Sequence, residues 1–337
     1  MNILRPQFTK QGQGLGRNPV AEKGAPVSFG TQLANLTVAQ QTAVLNTQAL
    51  QAGYRTPYYI DEIRMTAFTG ESAGSAAVTA LAYSLRAKFQ TGRHAFSKGP
   101  IPLSLYAPVF LRAGYATSYL NGIFAFFRGV VEVRWVLPKP LYMEPGDVIQ
   151  CYLERSNQFN TGPQYASNNF NVTYVGRAIA PGKKPPPCKY VPWVAFYDHP
   201  TTVASGYSNA GESFRNPFTI PLNVHRFTQQ TYVEVNTTPG QFLQWEGGRG
   251  PTNPSSFGET SFTQIRLYDS LGYAIVKEFA PIGEVMDLAR QAWTFSRPIG
   301  PREQFDAEFS STPITNTPFI TRYDTLLGMV AHREEAI

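Results

Sequence analysis

The chain has 337 residues, of which 42% are hydrophobic and only 15% charged, against about 25% charged in an average soluble domain. That length suggests about two domains of ~150 residues, and 28 glycines with 27 prolines argue against a helix bundle or coiled coil. Two cysteines exclude a disulfide scaffold. A mean hydropathy of −0.23, with no apolar run near the ~20 residues of a bilayer-spanning helix, excludes a helical integral membrane protein. Asn, Gln, Ser, Thr, Tyr and Phe take the place of the missing charge, as expected of a surface covered by neighbouring subunits.

Net charge is +6, from 29 basic and 23 acidic residues. Residues 1–24 hold Arg5, Lys10, Arg17 and Lys23 against Glu22 alone, so half of the excess (4 − 1 = 3) lies in a short N-terminal stretch. With Pro6, Gly12, Gly14, Gly16, Pro19 and Pro26 interspersed, residues 1–30 read as a flexible basic arm. Thr31 to Tyr54 contains no charge, and Leu33, Leu36, Ala43 and Leu50 fall near one face of a predicted polar-backed helix. Arm and helix together occupy residues 1–55. The N-terminus shows no apolar h-region of a secretory signal.

Beyond Thr56 the texture changes to short runs of Tyr, Phe, Val and Ile separated by Gly, Pro, Asn and Ser, the pattern of many short strands in a sandwich or barrel. Pro185, Pro186 and Pro187 mark a stiff linker at residues 183–190. It separates a first strand-rich half, 56–182, from a second, 191–337.

The two halves resemble each other. Tyr58 to Phe68 matches Phe218 to Thr228 at an offset of 160, and Leu85-Arg86 matches Ile265-Arg266 at 180. Trp135, Lys139 and Pro140 match Trp293, Arg297 and Pro298 at 158. Pro145, Ile149, Cys151 and Leu153 match Pro301, Phe305, Ala307 and Phe309 at 156, and Tyr174-Val175-Gly176 matches Leu326-Leu327-Gly328 at 152. Order is preserved, and the offset changes only between blocks, as loop insertions require. Alternation is preserved as well, one sheet face apolar and the other polar. In Glu144-Pro145-Gly146-Asp147, Pro and Gly suit the two central positions of a type II turn, and Gly300-Pro301-Arg302-Glu303 is its counterpart. Ile282, Val285, Met286 and Ala289 predict a short helix over Ala280 to Trp293.

Chemical motifs are sparse. Gly70-Glu71-Ser72-Ala73-Gly74 matches the GxSxG nucleophile elbow, with Asp324 and His332 downstream in triad order. No βαβ pattern or oxyanion segment accompanies it, so a loop between strands is the stronger reading. His94, His199, His225 and His332 are widely spaced singletons, giving no metal site. Gly12, Gly14 and Gly16 lack dinucleotide-fingerprint spacing. Trp135 and Trp293 read as paired core anchors before sugar platforms. No cofactor, metal ion or small-molecule substrate is expected.

Two tandem strand-rich halves, a basic arm, no catalytic cluster and low charge together resemble the double jelly-roll major capsid proteins of icosahedral, internally membraned bacteriophages, the adenovirus-type capsid lineage. The resemblance covers about residues 55–335 and rests on architecture and on the strand block Trp135 to Glu154. It implies an all-β fold of two eight-stranded jelly rolls with short helices. It also implies a non-enzymatic virion protein, made in the host cytoplasm, that self-assembles as a pseudo-hexameric homotrimer into an icosahedral capsid. Its partners would be itself, neighbouring capsomers, other capsid proteins such as a penton, and internal membrane lipids. Arg5, Lys10, Arg17 and Lys23 would form the membrane- or genome-facing arm. Two alternatives stay open: a phage tail, spike or decoration protein that binds glycans, and a serine hydrolase using Ser72.

Overall fold

The computed structural model describes residues 26–31, 45–46, 50–51, 57–72, 85–107, 109–115, 127–155, 168–179, 184–202, 208–235, 242–246, 261–269, 271–281, 295, 297–313 and 320–337. They divide into two compact units, residues 1–192 with 334–337 and residues 193–333.

The first unit is built from β1 (Pro26–Thr31), β2 (Leu45–Asn46), β3 (Leu50–Gln51), β4 (Tyr58–Ser72), β5 (Leu85–Thr91), β6 (Ile101–Pro102), β7 (Val109–Tyr115), β8 (Phe127–Met143), β9 (Val148–Arg155) and β10 (Asn168–Ala178). A single helical turn, α1 (Leu103–Tyr106), follows β6. Pairing is nested: β1 with β10, β2 and β3 with β9, β4 with β8, and β5 with β6. This is a long hairpin of strand pairs. It is rolled so that β10 also meets β4 and β9 also meets β5. The result is two sheets, β1-β10-β4-β8-β7 and β2-β9-β5-β6, the jelly-roll topology.

The second unit repeats the roll. Its strands are β11 (Cys188–Thr202), which begins before the unit boundary, β12 (Ser208–Arg215), β13 (Asn223–Val235), β14 (Phe242–Glu246), β15 (Ser261–Tyr268), β16 (Ala274–Pro281), β17 (Gln304–Pro313) and β18 (Ile320–Ala336). The nested pairs are β11 with β18, β12 with β17 and β15 with β16, and the closing pairs are β18 with β13 and β17 with β15. Where the first unit pairs β4 with β8, the described residues here pair β13 with β14, which precedes β15 in the chain. The chain is therefore all-β, a double jelly roll.

Period-two patterning drives both sheets. In β5, Leu85, Ala87, Phe89 and Thr91 are buried while Arg86, Lys88 and Gln90 stay half-buried on the other face, and opposite them in β9 Ile149 and Cys151 are buried. The first core is aromatic. Trp135 lies 4.7 Å from Tyr106 and 6.1 Å from Phe89 between ring centroids, and Tyr174 meets Phe89 edge-on at 6.4 Å. Helix α1 brings Tyr106 into this cluster, where its hydroxyl donates to the Ala87 carbonyl at 2.7 Å and burial drives its pKa well up. The second core gathers Phe214, Phe227 and Phe305 with Ile265, Leu267, Leu327 and Met329. Phe214 and Phe305 stack at 5.0 Å, and Phe227 meets both edge-on.

Strands β1, β2 and β3 correct the reading of residues 1–55 as arm plus helix. From Pro26 the chain pairs with β10, and at Leu45–Asn46 and Leu50–Gln51 it pairs with β9. Only residues 1–25 of the expected arm lie wholly outside the described residues. Likewise β11 starts at Cys188, inside the expected linker. The helix expected over Ala280 to Trp293 lies outside the described residues, apart from Ala280 and Pro281, which end β16.

The duplication is structural, with its registers corrected. Positive φ recurs at the expected offset of 156, at Gly146 (86°) and Arg302 (63°). Leu153 faces Ala87, however, while its counterpart Phe309 faces Ile265, so the true offset of that block is 265 − 87 = 178 rather than 180. Gly176 faces Ile60 and Gly328 faces Thr228, giving 228 − 60 = 168 rather than 160, and across the bulge Val175 faces Glu62 and Leu327 faces Gln229, giving 229 − 62 = 167.

Candidate functional site

In each unit a capped turn leads into the strand that pairs with the β5-type hairpin: residues 144–147 precede β9 and residues 300–303 precede β17. In the first unit, Asp147 N–H donates to Glu144 O at 3.0 Å, and the Asp147 carboxylate accepts from Glu144 N–H at 2.9 Å. Gly146 supplies the left-handed conformation that the type II turn requires. Lys189 Nζ closes on Asp147 at 3.0 Å. In the second unit the same bonds recur: Glu303 N–H to Gly300 O at 3.2 Å, and Gly300 N–H to the Glu303 carboxylate at 2.9 Å. Arg297 stands 3.6 Å from Glu303 in place of the lysine. Only the proline is common to the two sequences. Carboxylate, turn and cation are retained as a device.

Around the second turn, three loops are knitted into a plate. Asn216 is fully buried, and its amide donates to the carbonyls of Ile220 (2.8 Å), Ile299 (3.2 Å) and Gly300 (2.9 Å) while its oxygen accepts from Phe218 N–H (2.9 Å). Arg302 reaches back to the Pro217 carbonyl at 3.0 Å, and Leu222 and Ile299 exchange backbone bonds. The third loop is the β15–β16 turn. Asp269 accepts from Leu271 N–H (3.0 Å) and Tyr273 N–H (2.9 Å), and Arg297 donates to its other oxygen at 3.1 Å. Partial burial alone would raise the Asp269 pKa, but those two backbone donors and the Arg297 guanidinium outweigh it and hold the carboxyl below the ordinary carboxylate range. Leu271 and Tyr273 stand out from this plate at 76% and 70% exposure.

In the first unit a pocket of about 100 Å³ lies beside the capped turn, lined by Arg93, His94, Asp147, Lys189 and Glu335 among others. Its walls are braced by Lys189–Asp147 and by His94–Glu335 at 3.3 Å.

Arg5, Lys10, Arg17 and Lys23 lie outside the described residues, as does Trp293. Trp135 is a buried anchor of the first core. Ser72 closes β4 in register with Arg128 of β8. Asp324 and His332 sit eight residues apart on β18, which at ~3.3 Å per residue is roughly 26 Å along one strand. The aspartate therefore cannot orient that histidine as a triad requires.

The histidines are not all singletons, which corrects the sequence reading. His225 Nε2 and His332 Nδ1 are in hydrogen-bond contact with their rings stacked, centroids 4.4 Å apart. Pairing of β13 with β18 and the irregularity between Val224 and Arg226 bring them together, a meeting across 107 residues that has no local signal. His199 pairs with Glu212 at 2.9 Å. Among the described residues no three His, Cys, Asp or Glu side chains gather as a metal site would require.

No family model matches the chain, and no curated protein does. Among solved structures, it aligns with VP54 of PBCV-1 at 10% identity and TM-score 0.48, over 95% of this chain and 97% of that one. The mavirus major capsid protein aligns at 7% identity and TM-score 0.41 over 97% and 92%. The major capsid protein P2 of bacteriophage PM2 aligns at 6% and 0.37 over 92% and 97%.

Proposed function

We propose that the chain is a structural virion subunit, a major capsid protein that assembles as a homotrimer. The observation that carries this reading is the same rolled hairpin built twice in one polypeptide. Three copies then present six jelly rolls, a near-sixfold tile from a threefold assembly, which closed symmetry favours. The low charge supports it, because flanks buried between subunits are depleted in charged residues. So does the state of the outward strand faces, where charges are already neutralised in pairs such as Arg64–Glu62 (2.8 Å) and Arg134–Glu132 (2.5 Å).

Under this reading the tile meets neighbouring capsomers and a penton-type protein in the virion after synthesis in the host cytoplasm. The arm carrying Arg5, Lys10, Arg17 and Lys23 contacts anionic lipid or bridges capsomers. Native mass measurement of the purified chain is expected to give a cofactor-free trimer near 112 kDa, three times 37.4 kDa. A strictly monomeric particle across micromolar concentrations overturns the reading.

A further inference from the structure

We propose that His225 and His332 form an acid-operated latch on a closing strand pair of the second unit. The latch holds β13 against β18 while one imidazole is neutral and lets go when both are protonated. It goes beyond the capsid reading and does not depend on it, because every group it uses lies in the second unit of one chain.

The latch sits where the ladder is already interrupted. Val224 faces Ala331 and Arg226 faces Val330, so His225 is the extra residue of a bulge, a feature that re-aims a side chain and leaves that residue unpaired. On β18, His332 is buried and pairs with Asn223. The two rings lie nearly parallel with centroids 4.4 Å apart, His225 Nε2 against His332 Nδ1. One proton fits between those nitrogens, donated by one ring and accepted by the other. A second proton removes the acceptor and sets two N–H groups and two charges against each other. An apolar pair of similar volume would hold the strands at every pH.

The surroundings oppose that second charge. The next residue on each strand is a buried arginine, Arg226 and Arg333, and Arg333 lies over the Phe218 ring at 4.0 Å. Among the described residues of this unit no aspartate or glutamate is buried. Its half-buried acids stand with other groups: Glu212 with His199, Glu308 with Arg266, Asp306 with Ser213, and Asp269 and Glu303 with Arg297. Asp198 on β11, the strand at the other edge of β18, is the remaining half-buried acid among the described residues. Glu334, two residues beyond His332, belongs to the first unit and acts on Tyr190 of β11.

The sign of the effect follows from linkage. The unfolded chain takes a proton on each imidazole as pH falls through about 6.5, and the folded pair resists the second. Stability from the pair is therefore complete above that pH and is lost as pH falls below it. His94 and His199 act in the opposite sense. Each stands beside a carboxylate, Glu335 and Glu212, where a proton adds attraction. Of the four histidines, only the stacked pair can loosen the fold in this window.

The test is amide exchange of the full chain, corrected for intrinsic rate, between pH 7.5 and 5, above the ordinary carboxylate range. Exchange at Arg226 to Thr228 and at Gly328 to Val330 is expected to rise about tenfold on acidification, while the β5–β9 ladder of the first unit stays protected. His332→Gln should abolish the rise, and His225→Gln, at the half-buried partner, serves where the first variant folds poorly. Asp198→Asn should leave the parent's response in place. Unchanged or slower exchange in acid overturns the latch, and so does an equal acid response in the histidine variants. A response that disappears in Asp198→Asn assigns the switch to that carboxylate and overturns the proposal as well. All of these outcomes are read within one chain, so the capsid reading stands or falls separately, on native mass.

Discussion

Arg302 occupies a backbone position that its counterpart gives to glycine. A left-handed conformation costs an L-residue roughly 1–2 kcal/mol, and Arg302 bears that strain at φ 63° while Gly146 takes φ 86° freely. Its bond to the Pro217 carbonyl offsets part of the cost. Arg302→Gly is therefore expected to stabilise the protein by about 0.5–1 kcal/mol, after the entropy that glycine adds to the unfolded chain is subtracted. Gly146→Ala should act in the opposite sense by about 1 kcal/mol. A methyl group at Gly146 meets no atom within 4 Å, so the change isolates backbone strain. Urea midpoints of the two variants check the pair. Equal signs would show that the two turns are not conformational equivalents.

At the level of elements, the β15–β16 hairpin depends on one carboxylate. Asp269 has its pKa lowered in the folded state by backbone donors and Arg297, against the opposing effect of burial. Its contribution is thus fully present above the unfolded value of about 3.9 and is lost as pH falls through the lower folded value. Amide exchange at Leu271 and Tyr273, corrected for intrinsic rate, should show protection at pH 6 that falls away below about pH 4. Asp269→Asn should remove that dependence. Protection in the parent that falls no more steeply with acid than in Asp269→Asn would disprove the carboxylate's role.

The same elements show what a sequence can and cannot convey. The capped turn at Glu144 to Asp147 was legible because Pro and Gly each have one conformational reason to stand where they do. Face alternation was legible in β5 and β9. Register was not, because period two is blind to even shifts such as the 2-residue error at β5, and the bulges in β10 and β13 interrupt the alternation that would fix it at β4. Strands β2 and β3, two residues each, are shorter than any detectable period, and apolar residues around them happen to match helical spacing. The Asn216 hub and the His225–His332 contact arise from distant strands and loops, and no window of sequence contains them.

For the whole molecule, the position of β1 decides how the basic arm can be separated from the fold. Its six residues pair with β10 from Pro26–Thr173 to Thr31–Asn168, so β1 closes one edge of the first unit's sheet. Arg5, Lys10, Arg17 and Lys23 all precede it. Deleting residues 1–25 is therefore expected to leave the melting temperature unchanged and, under the proposed capsid role, to leave the trimer intact while reducing shell or membrane assembly. Deleting residues 1–31 removes the ladder as well. At about 1 kcal/mol for each net hydrogen bond, that loss is a few kcal/mol. It also leaves the edge of β10 open to pairing with other chains. Calorimetry should then show a lower transition for the longer deletion only, with aggregation on heating. Identical transitions for both deletions would place β1 outside the barrel, and unimpaired assembly of the shorter one would leave the four basic residues without the role proposed for them.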